Sequence, residues 1–171
     1  MSHVAKLVCV STWFQCLWFL SVVGQARFQW LGLALAILTI ISTYRVLSIS
    51  LRDVVLIALL GLILDSLNVM TNVLIFSEPA LPIWLVTLWL AFSWYANFLR
   101  STLMQYPIFY VSILGGAGGA LSYLAGNKLD AVTIGYSLPM TLMILFVEWL
   151  AIIWFVVSYQ RLTKGVLNHD T

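Results

Sequence analysis

The sequence predicts an all-α membrane protein, a single domain over residues 1–171 that forms a bundle of six transmembrane helices. The composition supports this fold class, because 63% of the residues are hydrophobic and only 8% are charged. A soluble domain has about 45–50% apolar and about 25% charged residues. The apolar residues also form continuous runs of roughly 20, the length that a helix needs to cross a bilayer. The lipid bilayer is therefore the first partner that the sequence predicts.

The predicted spans are six apolar segments, residues 4–23, 29–47, 53–76, 83–104, 108–125 and 139–161. Short turns separate most of them, and the connections at 77–82 (SEPALP) and 126–138 contain residues that break helices. Pro139 is well suited to the first position of the last helix, where a missing N–H costs nothing. The first segment could also be a cleavable signal peptide, but its two Trp, its Gln and its length favour a span.

The positive charges predict the orientation of these spans. Six spans place both termini on one side of the membrane, and cytoplasmic loops are rich in Lys and Arg. That side holds Lys6, Arg45, Arg52, Arg100, Arg161 and Lys164, whereas the other side holds Arg27 and Lys128. We therefore expect both termini in the cytoplasm. The net charge of +2 comes without a basic stripe, so nucleic acid is not an expected partner.

A polar seam runs along the third predicted span. Gly61, Asp65, Asn68 and Asn72 recur at spacings of four, three and four residues, which puts them on one helix face. Intramembrane acids are costly and usually face the interior of a bundle. The sixth span carries Glu148, which we expect at nearly the same depth as Asp65, about 18–20 Å from the cytoplasmic ends of their helices.

Two arrangements of these acids are possible. Asp65 and Glu148 could form a close pair, in which at least one carboxyl is protonated because two charges in a low dielectric repel each other. Alternatively, they could lie apart, each bonded to neighbouring amide or hydroxyl groups. In either case they are candidates for a ligand-binding site or a polar core.

Three further polar residues complete the candidate set. Asn97 and Arg100 share a face of the fourth span with Ser93. Arg100 can extend to water at the membrane surface, or it can point inward and join Asn97. Gln15 in the first span could contact a ligand, although a lone Gln more often bonds two helices together.

Small residues mark the fifth span. Gly115 and Gly119 form a G-x-x-x-G pair, and Gly116 and Gly118 lie between them. This spacing lets two helices approach closely, so helix packing is the default prediction. The alternative is a weakened helix whose backbone lines a cavity.

Few residues could support catalysis or bind a metal. The two histidines, His3 and His169, lie in the tails, and the sequence contains neither a G-x-S-x-G nor a Walker motif. Cys9 and Cys16 are seven residues apart in one apolar segment and are interpreted as packing residues. No metal and no cofactor are expected, and an enzyme is disfavoured.

A family resemblance rests on two segments. Residues 61–66 (GLILDS) and 115–126 (GGAGGALSYLAG), together with the Trp-rich first span and residues 84–97, resemble a domain-of-unknown-function family of small bacterial inner-membrane proteins. The resemblance covers nearly the whole chain. It implies a multi-pass protein of the bacterial inner membrane with a helical fold, and it implies no activity.

A weaker resemblance concerns the fold alone. The segment 61–65 in a six-helix chain of this length is similar to rod-shape-determining scaffold proteins and to the binding subunits of energy-coupling-factor transporters. Likeness of fold does not assign a function.

Two functions follow as expectations. The first is a small transporter, or a membrane-embedded substrate-binding subunit, with a closed polar cavity lined by Asp65, Asn68 and Glu148. The second is a non-catalytic scaffold or assembly subunit of an envelope complex, which could bind another membrane protein and would have no cavity. The volume beside Asp65 discriminates between them, because ligand sites usually offer about 300–1,000 Å³.

Overall fold

The computed structural model describes residues 2–77 and 81–167, with side chains as far as Leu162. The described chain forms five helices and two short strands, which confirms the all-α prediction at the level of the fold class. In chain order they are α1 (His3–Thr43), α2 (Leu51–Met70), β1 (Leu74–Ile75), α3 (Ile83–Leu103), α4 (Ile108–Lys128), β2 (Thr133–Ile134) and α5 (Leu138–Leu167). Residues 78–80 of the SEPALP loop, the Lys164 side chain and His169 lie outside the description.

Helix α1 is a hairpin of two antiparallel halves. Its backbone leaves the helical conformation at Gln25, where φ is 40° and ψ is −134°. Trp13 Nε1 donates a hydrogen bond to Thr39 Oγ1 at 2.9 Å, although 26 residues separate them. In an unbroken helix they would be about 39 Å apart. The described chain therefore contains six helical segments.

Helix α2 ends earlier than the third predicted span. Asn72 adopts a positive φ of 57° just after the helix. The N–H of Val73 then bonds to Asn68 O at 2.8 Å and that of Asn72 to Val69 O at 3.1 Å. These bonds form a Schellman motif, for which Asn is a favoured residue. The prediction of a helix to Phe76 is therefore wrong, because a left-handed residue stops it.

Helix α4 ends in the same way. Asp130 also has a φ of 57°, and the N–H of Ala131 bonds to Gly126 O at 2.9 Å. The helix extends three residues beyond the predicted end of the fifth span at 125. The two matching caps direct the chain into β1 and β2 on the same side of the bundle.

Strands β1 and β2 form a short antiparallel ladder that the sequence did not predict. Leu74 pairs with Ile134, and Ile75 pairs with Thr133. Gly135 follows the ladder, and a Cβ at this position would overlap the backbone of Asn72. Only glycine permits this close approach.

Two other predicted boundaries differ less. Regular helix α1 ends at Thr43, but Leu47 N still bonds to Thr43 O at 2.8 Å before Ser48 adopts a positive φ. The second predicted span, which ended at 47, thus includes one irregular turn. Helix α5 begins at Leu138 rather than Pro139 and continues beyond the predicted end at 161.

The helices form two groups. Helices α1 and α2 pack on α3, and we call these three the α3 group. Helices α4 and α5 pack on each other as the α4–α5 pair. The two groups touch over a much smaller area, where Trp89 of α3 and Trp149 of α5 belong to one buried cluster. This division positions the candidate site.

Four helices in the described chain are long and apolar enough to cross a membrane: α1, α2, α4 and α5 up to Leu162. Their outer faces carry exposed large apolar side chains, such as Leu59 and Val147. Such surfaces are rare on soluble proteins and indicate a membrane protein. Helix α3 is not among them and lies largely enclosed, with Trp84, Trp89 and Trp94 buried against its neighbours.

Candidate functional site

Asp65 lies at the meeting point of three helices. Its side chain is 1% exposed. Its Oδ2 atom accepts a hydrogen bond from Trp89 Nε1 on α3, and its Oδ1 atom accepts one from Tyr123 Oη on α4, both at 2.6 Å. The carboxyl of α2 therefore bonds to the α3 group and to the α4–α5 pair at once.

The local sequence explains how this contact forms. Gly61 precedes Asp65 by one helical turn, and a Cβ at this position would overlap the Trp89 indole. The missing side chain leaves room for the ring to lie across α2. Trp89 can then direct its N–H to the carboxyl one turn further along the helix.

Glu148 has a different partner and a different environment. Its Oε2 atom accepts a hydrogen bond from Asn68 Nδ2 at 2.7 Å. Asn68 is buried, whereas Glu148 is only half-buried. Because Asn68 lies one turn from Asp65 on α2, the two acids occupy similar depths. Each acid thus accepts hydrogen bonds from side chains of its own, Asp65 from Trp89 and Tyr123 and Glu148 from Asn68.

An aromatic layer lies beside Asp65. The Trp89 and Trp149 rings stack with centroids 5.1 Å apart and planes 10° apart. Phe92 meets Trp149 edge-on at 4.9 Å, and Tyr123 meets it at 6.5 Å. These rings separate the acid from the space between the helix groups.

That space is a groove of about 820 Å³. It is bounded by α1 and α3 on one side and by α4 and α5 on the other. Most lining side chains are aliphatic or aromatic, including the aromatic layer described above. Two lining residues of α4, Leu114 and Leu121, are 73% and 58% exposed. The groove is therefore open sideways, in the direction that lipid would occupy.

The glycines of α4 differ in what surrounds them, although Gly115 and Gly119 line the groove as Gly118 does. A Cβ at Gly115 would lie 2.7 Å from Ile153, one at Gly116 would lie 3.2 Å from the α5 backbone, and one at Gly119 would overlap the Trp149 indole. These three glycines allow α4 and α5 to pack closely. Gly118 has nothing within 4 Å of the same position and lines the groove.

Asn97 and Arg100 belong to a second polar cluster at one end of the bundle. Asn97 Oδ1 accepts from Ser50 N at 3.2 Å, which anchors the turn before α2. Arg100 Nη1 lies 3.6 Å from Asp53 Oδ2, and its Nη2 donates to Gln160 O at 2.8 Å. Arg100 therefore points inward, but neither residue joins Asp65.

The other two predicted residues lie apart from Asp65. Asn72 is exposed beyond the end of α2, which corrects its prediction as part of the seam, since the left-handed cap turns the chain away. Gln15 is also exposed, although it lines the groove. The structure thus brings together Asp65, Asn68 and Glu148 from the candidate set, and leaves four residues outside.

Sequence reasoning missed the two hydrogen-bond donors of Asp65. In the sequence, Trp89 is one of several aromatic and apolar residues of α3, and Tyr123 simply follows the small residues of the fifth span. A usable signal was present, because a Trp or Tyr buried in mid-span needs an acceptor for its polar atom. Within the described chain, no group of three His, Cys, Asp or Glu side chains could hold a metal ion.

Comparison with known proteins supports the family resemblance. A model of a family described as a protein of unknown function, DUF2878, matches residues 7–155. No curated protein and no solved structure matches the chain. The match covers most of the sequence, including both acids, the aromatic layer and the glycines of α4. The chain therefore belongs to the DUF2878 family, whose function is unknown.

Proposed function

We propose that this protein is a membrane-embedded binding component, of the kind that serves a small transporter, and that its groove takes an apolar or amphipathic molecule from the bilayer. One observation carries the proposal: a groove of about 820 Å³ with an aromatic and aliphatic lining opens sideways between two helix groups. Its volume lies within the range of about 300–1,000 Å³ that small-molecule sites offer.

The character of the ligand follows from which residues line the groove. Asp65, Asn68 and Glu148 are not among the lining residues, and Asp65 already accepts two hydrogen bonds. A polar substrate in the groove would lose its hydration with little compensation, at a cost of roughly 1–3 kcal/mol for each unpaired group. The polar mid-membrane site expected from the sequence is therefore replaced, in this proposal, by an apolar one.

Asp65 has a structural role in the proposed site. By accepting from Trp89 and Tyr123, it orients two of the aromatic side chains that line the groove. Because both oxygens of this one buried carboxyl accept a bond, Asp65 fixes the positions of two donors from different helices. The acid is thus a positioning residue for the aromatic layer.

The proposal favours a binding component over a scaffold. A scaffold was expected to have a bundle packed solid beside Asp65, whereas a groove lies on the other side of the Trp89 ring. Because the sequence has no motif that binds nucleotides, we propose that a second membrane protein would drive any transport.

We further propose that the chain crosses the bacterial inner membrane six times, with both termini in the cytoplasm. The hairpin of α1 supports an even number of crossings. Gln25 Nε2 bonds to Leu129 O at 3.3 Å, and the β1–β2 ladder joins the same side. Asn97 and Ser50 meet at the opposite end. The six helical segments thus alternate between two ends.

Labelling of single cysteines tests this topology. After Cys9 and Cys16 are replaced, Lys128→Cys should react with a membrane-impermeant maleimide on spheroplasts. Ser2→Cys should react only after the cells are broken. Reaction of both, or of neither, before breakage would contradict the proposed orientation.

A binding titration tests the groove itself. The protein in phosphatidylcholine nanodiscs is titrated with a fluorescent long-chain fatty acid, which should bind saturably with one molecule per chain. Gly118→Leu places a side chain in the groove and should weaken binding at least tenfold. The matched control is Leu59→Phe, an apolar enlargement on the exposed face of α2. Non-saturable binding, or equal binding by both variants, would overturn the proposal.

A further inference from the structure

The two ends of the groove are lined by different residues. At one end the lining includes Leu103, Tyr106 and Val157, and at the other it includes Phe76 and Val132. We call the first the Arg161 end, because Arg161 follows the lining residue Val157 on α5 by one helical turn and so lies on the same face.

The α3 wall places a second arginine at this end. Ala96 and Leu103 line the groove, and Arg100 lies four residues after the first and three before the second. These spacings put all three on one helix face. Arg100 Nη2 donates to Gln160 O at 2.8 Å and thereby joins α3 to α5 where the groove ends.

Arg161 is bonded to the rim of the groove. Its Nη2 atom donates to the backbone oxygen of Tyr106 at 2.8 Å, and Tyr106 is a lining residue that is 57% exposed. A guanidinium has five N–H donors in a planar fork. This bond therefore leaves donors that can bind an anion at the mouth of the groove.

The charges of the two arginines are balanced differently. Arg100 lies 3.6 Å from the Asp53 carboxylate, so much of its charge is offset. Among the side chains that the structure describes, no carboxylate lies within ion-pair distance of Arg161. Among the described residues, Arg161 therefore carries a positive charge that no described carboxylate offsets. A planar fork of this kind suits carboxylate and phosphate groups.

The length of the groove indicates the shape of the ligand. The lining residues Trp84 and Leu103 lie at opposite ends of α3, about 28 Å apart at the helical rise per residue. The hydrocarbon core of a bilayer is about 30 Å thick. An extended hydrocarbon chain can therefore lie along the groove, parallel to the helices, with its head at one membrane surface.

We propose that the groove binds a single-chain anionic amphiphile, whose carboxylate or phosphate head bonds to Arg161 and whose chain extends towards Trp84. This inference rests on the proposed function, since it names the ligand class of the same groove. It adds a direction of binding and a requirement for negative charge that the apolar lining alone does not impose.

The test compares three probes with chains of equal length: a fatty acid, a monoalkyl phosphate and the uncharged fatty alcohol. Each is titrated into the protein in phosphatidylcholine nanodiscs. We expect both anions to bind at least tenfold more tightly than the alcohol, and the tighter of the two identifies the head group. Arg161→Gln should weaken anion binding about tenfold and leave alcohol binding unchanged.

Two controls separate the possible outcomes. Arg27→Gln removes an exposed arginine at the opposite end of the bundle, two residues after Gln25, whose Nε2 bonds to Leu129 O, and it should change nothing. Gly118→Leu should weaken binding of all three probes. If Gly118→Leu acts but Arg161→Gln does not, the head-group assignment is wrong while the groove proposal stands. If no probe binds saturably, both are wrong.

Discussion

Helix α4 presents two contrasting faces to the rest of the molecule. On one face, Gly115, Gly116 and Gly119 lie against α5 so closely that an added Cβ would meet side chain or backbone. Gly118 is exposed and has open space around it, and it lines the groove together with Gly115 and Gly119. Successive residues of a helix point about 100° apart, so a shift of one position separates a sealed interface from an open one.

The contrast shows that glycines in one run can have different structural roles. A small-residue motif predicts close helix packing, and three of the four glycines serve that purpose. The fourth removes a side chain from the wall of a groove instead. The same helix therefore binds its neighbour and leaves room for a ligand. The predictions below test how sharply these two roles are divided, in order of decreasing effect on stability.

The largest effect is expected at the sealed face. Gly119→Ala places a methyl group on the Trp149 indole, which is itself stacked on Trp89 and cannot move freely. Overpacking of this kind costs about 1–3 kcal/mol and sometimes more. We therefore expect the free energy of unfolding in detergent to fall by about 2 kcal/mol or more. Circular dichroism follows the unfolding.

The control for this variant is Gly118→Ala, described last. If Gly119→Ala unfolds like the original protein, the Trp149 indole is not held at this interface, and α4 and α5 are not closely packed there.

The second effect concerns the bond that crosses the groups. Asp65→Asn keeps one carbonyl oxygen but turns an amide N–H towards the other donor, so either Trp89 or Tyr123 loses its acceptor. An unsatisfied buried donor costs about 1–3 kcal/mol. Thermal unfolding should shift down accordingly. Ser66→Ala on the same helix, which removes only a bond to its own backbone, should shift it much less; equal shifts would contradict the bridging role of Asp65.

The third effect is smaller, because the second acid is half-buried. In Glu148→Gln the side-chain oxygen can still accept from Asn68. We expect a loss below about 1 kcal/mol, since the hydrogen bond is kept. Unfolding measured alongside Asp65→Asn provides the comparison. A larger loss at Glu148 than at Asp65 would mean that the half-buried acid, not the enclosed one, holds the helices together.

The smallest effect is expected at the open face. Gly118→Ala adds a methyl group where no atom lies within 4 Å. Alanine favours a helix over glycine by up to about 1 kcal/mol, so unfolding should be unchanged or slightly harder. A clear loss of stability would show that the groove closes in solution.

Much of the fold follows from composition and periodicity. Long apolar runs predict helices because the bilayer core offers no other partner for the backbone. The matching depth of Asp65 and Glu148 also followed from helical rise alone, because the bond from Asn68 to Glu148 joins α2 to α5 at that level. These features depend on local geometry, which sequence spacing describes well.

Other features depend on contacts between distant residues and could not be predicted in this way. The left-handed Asn72 ends α2 before the polar seam is complete, and the β1–β2 ladder joins loops 60 residues apart. The pattern of Asp65, Asn68 and Asn72 looked continuous because one helix was assumed. Polar residues at helical spacing share one face only as far as the helix extends.

The candidate site was predicted only in part for a similar reason. The intramembrane acid pointed to a polar site, whereas its donors proved to be Trp89 and Tyr123, residues usually considered apolar. Which residues border a groove depends on how the helix groups are arranged, and no spacing within one helix encodes that arrangement.

The most direct test of the central claim is photolabelling of the protein in nanodiscs with a fatty acid that carries a diazirine along its chain. Mass spectrometry then locates the labelled residues. If the groove binds the chain, labels should concentrate on its less exposed lining, at Leu88, Phe92 and Trp149, and Gly118→Leu should remove them. Labels spread evenly over the outer faces at Leu59 and Val147 would contradict the claim.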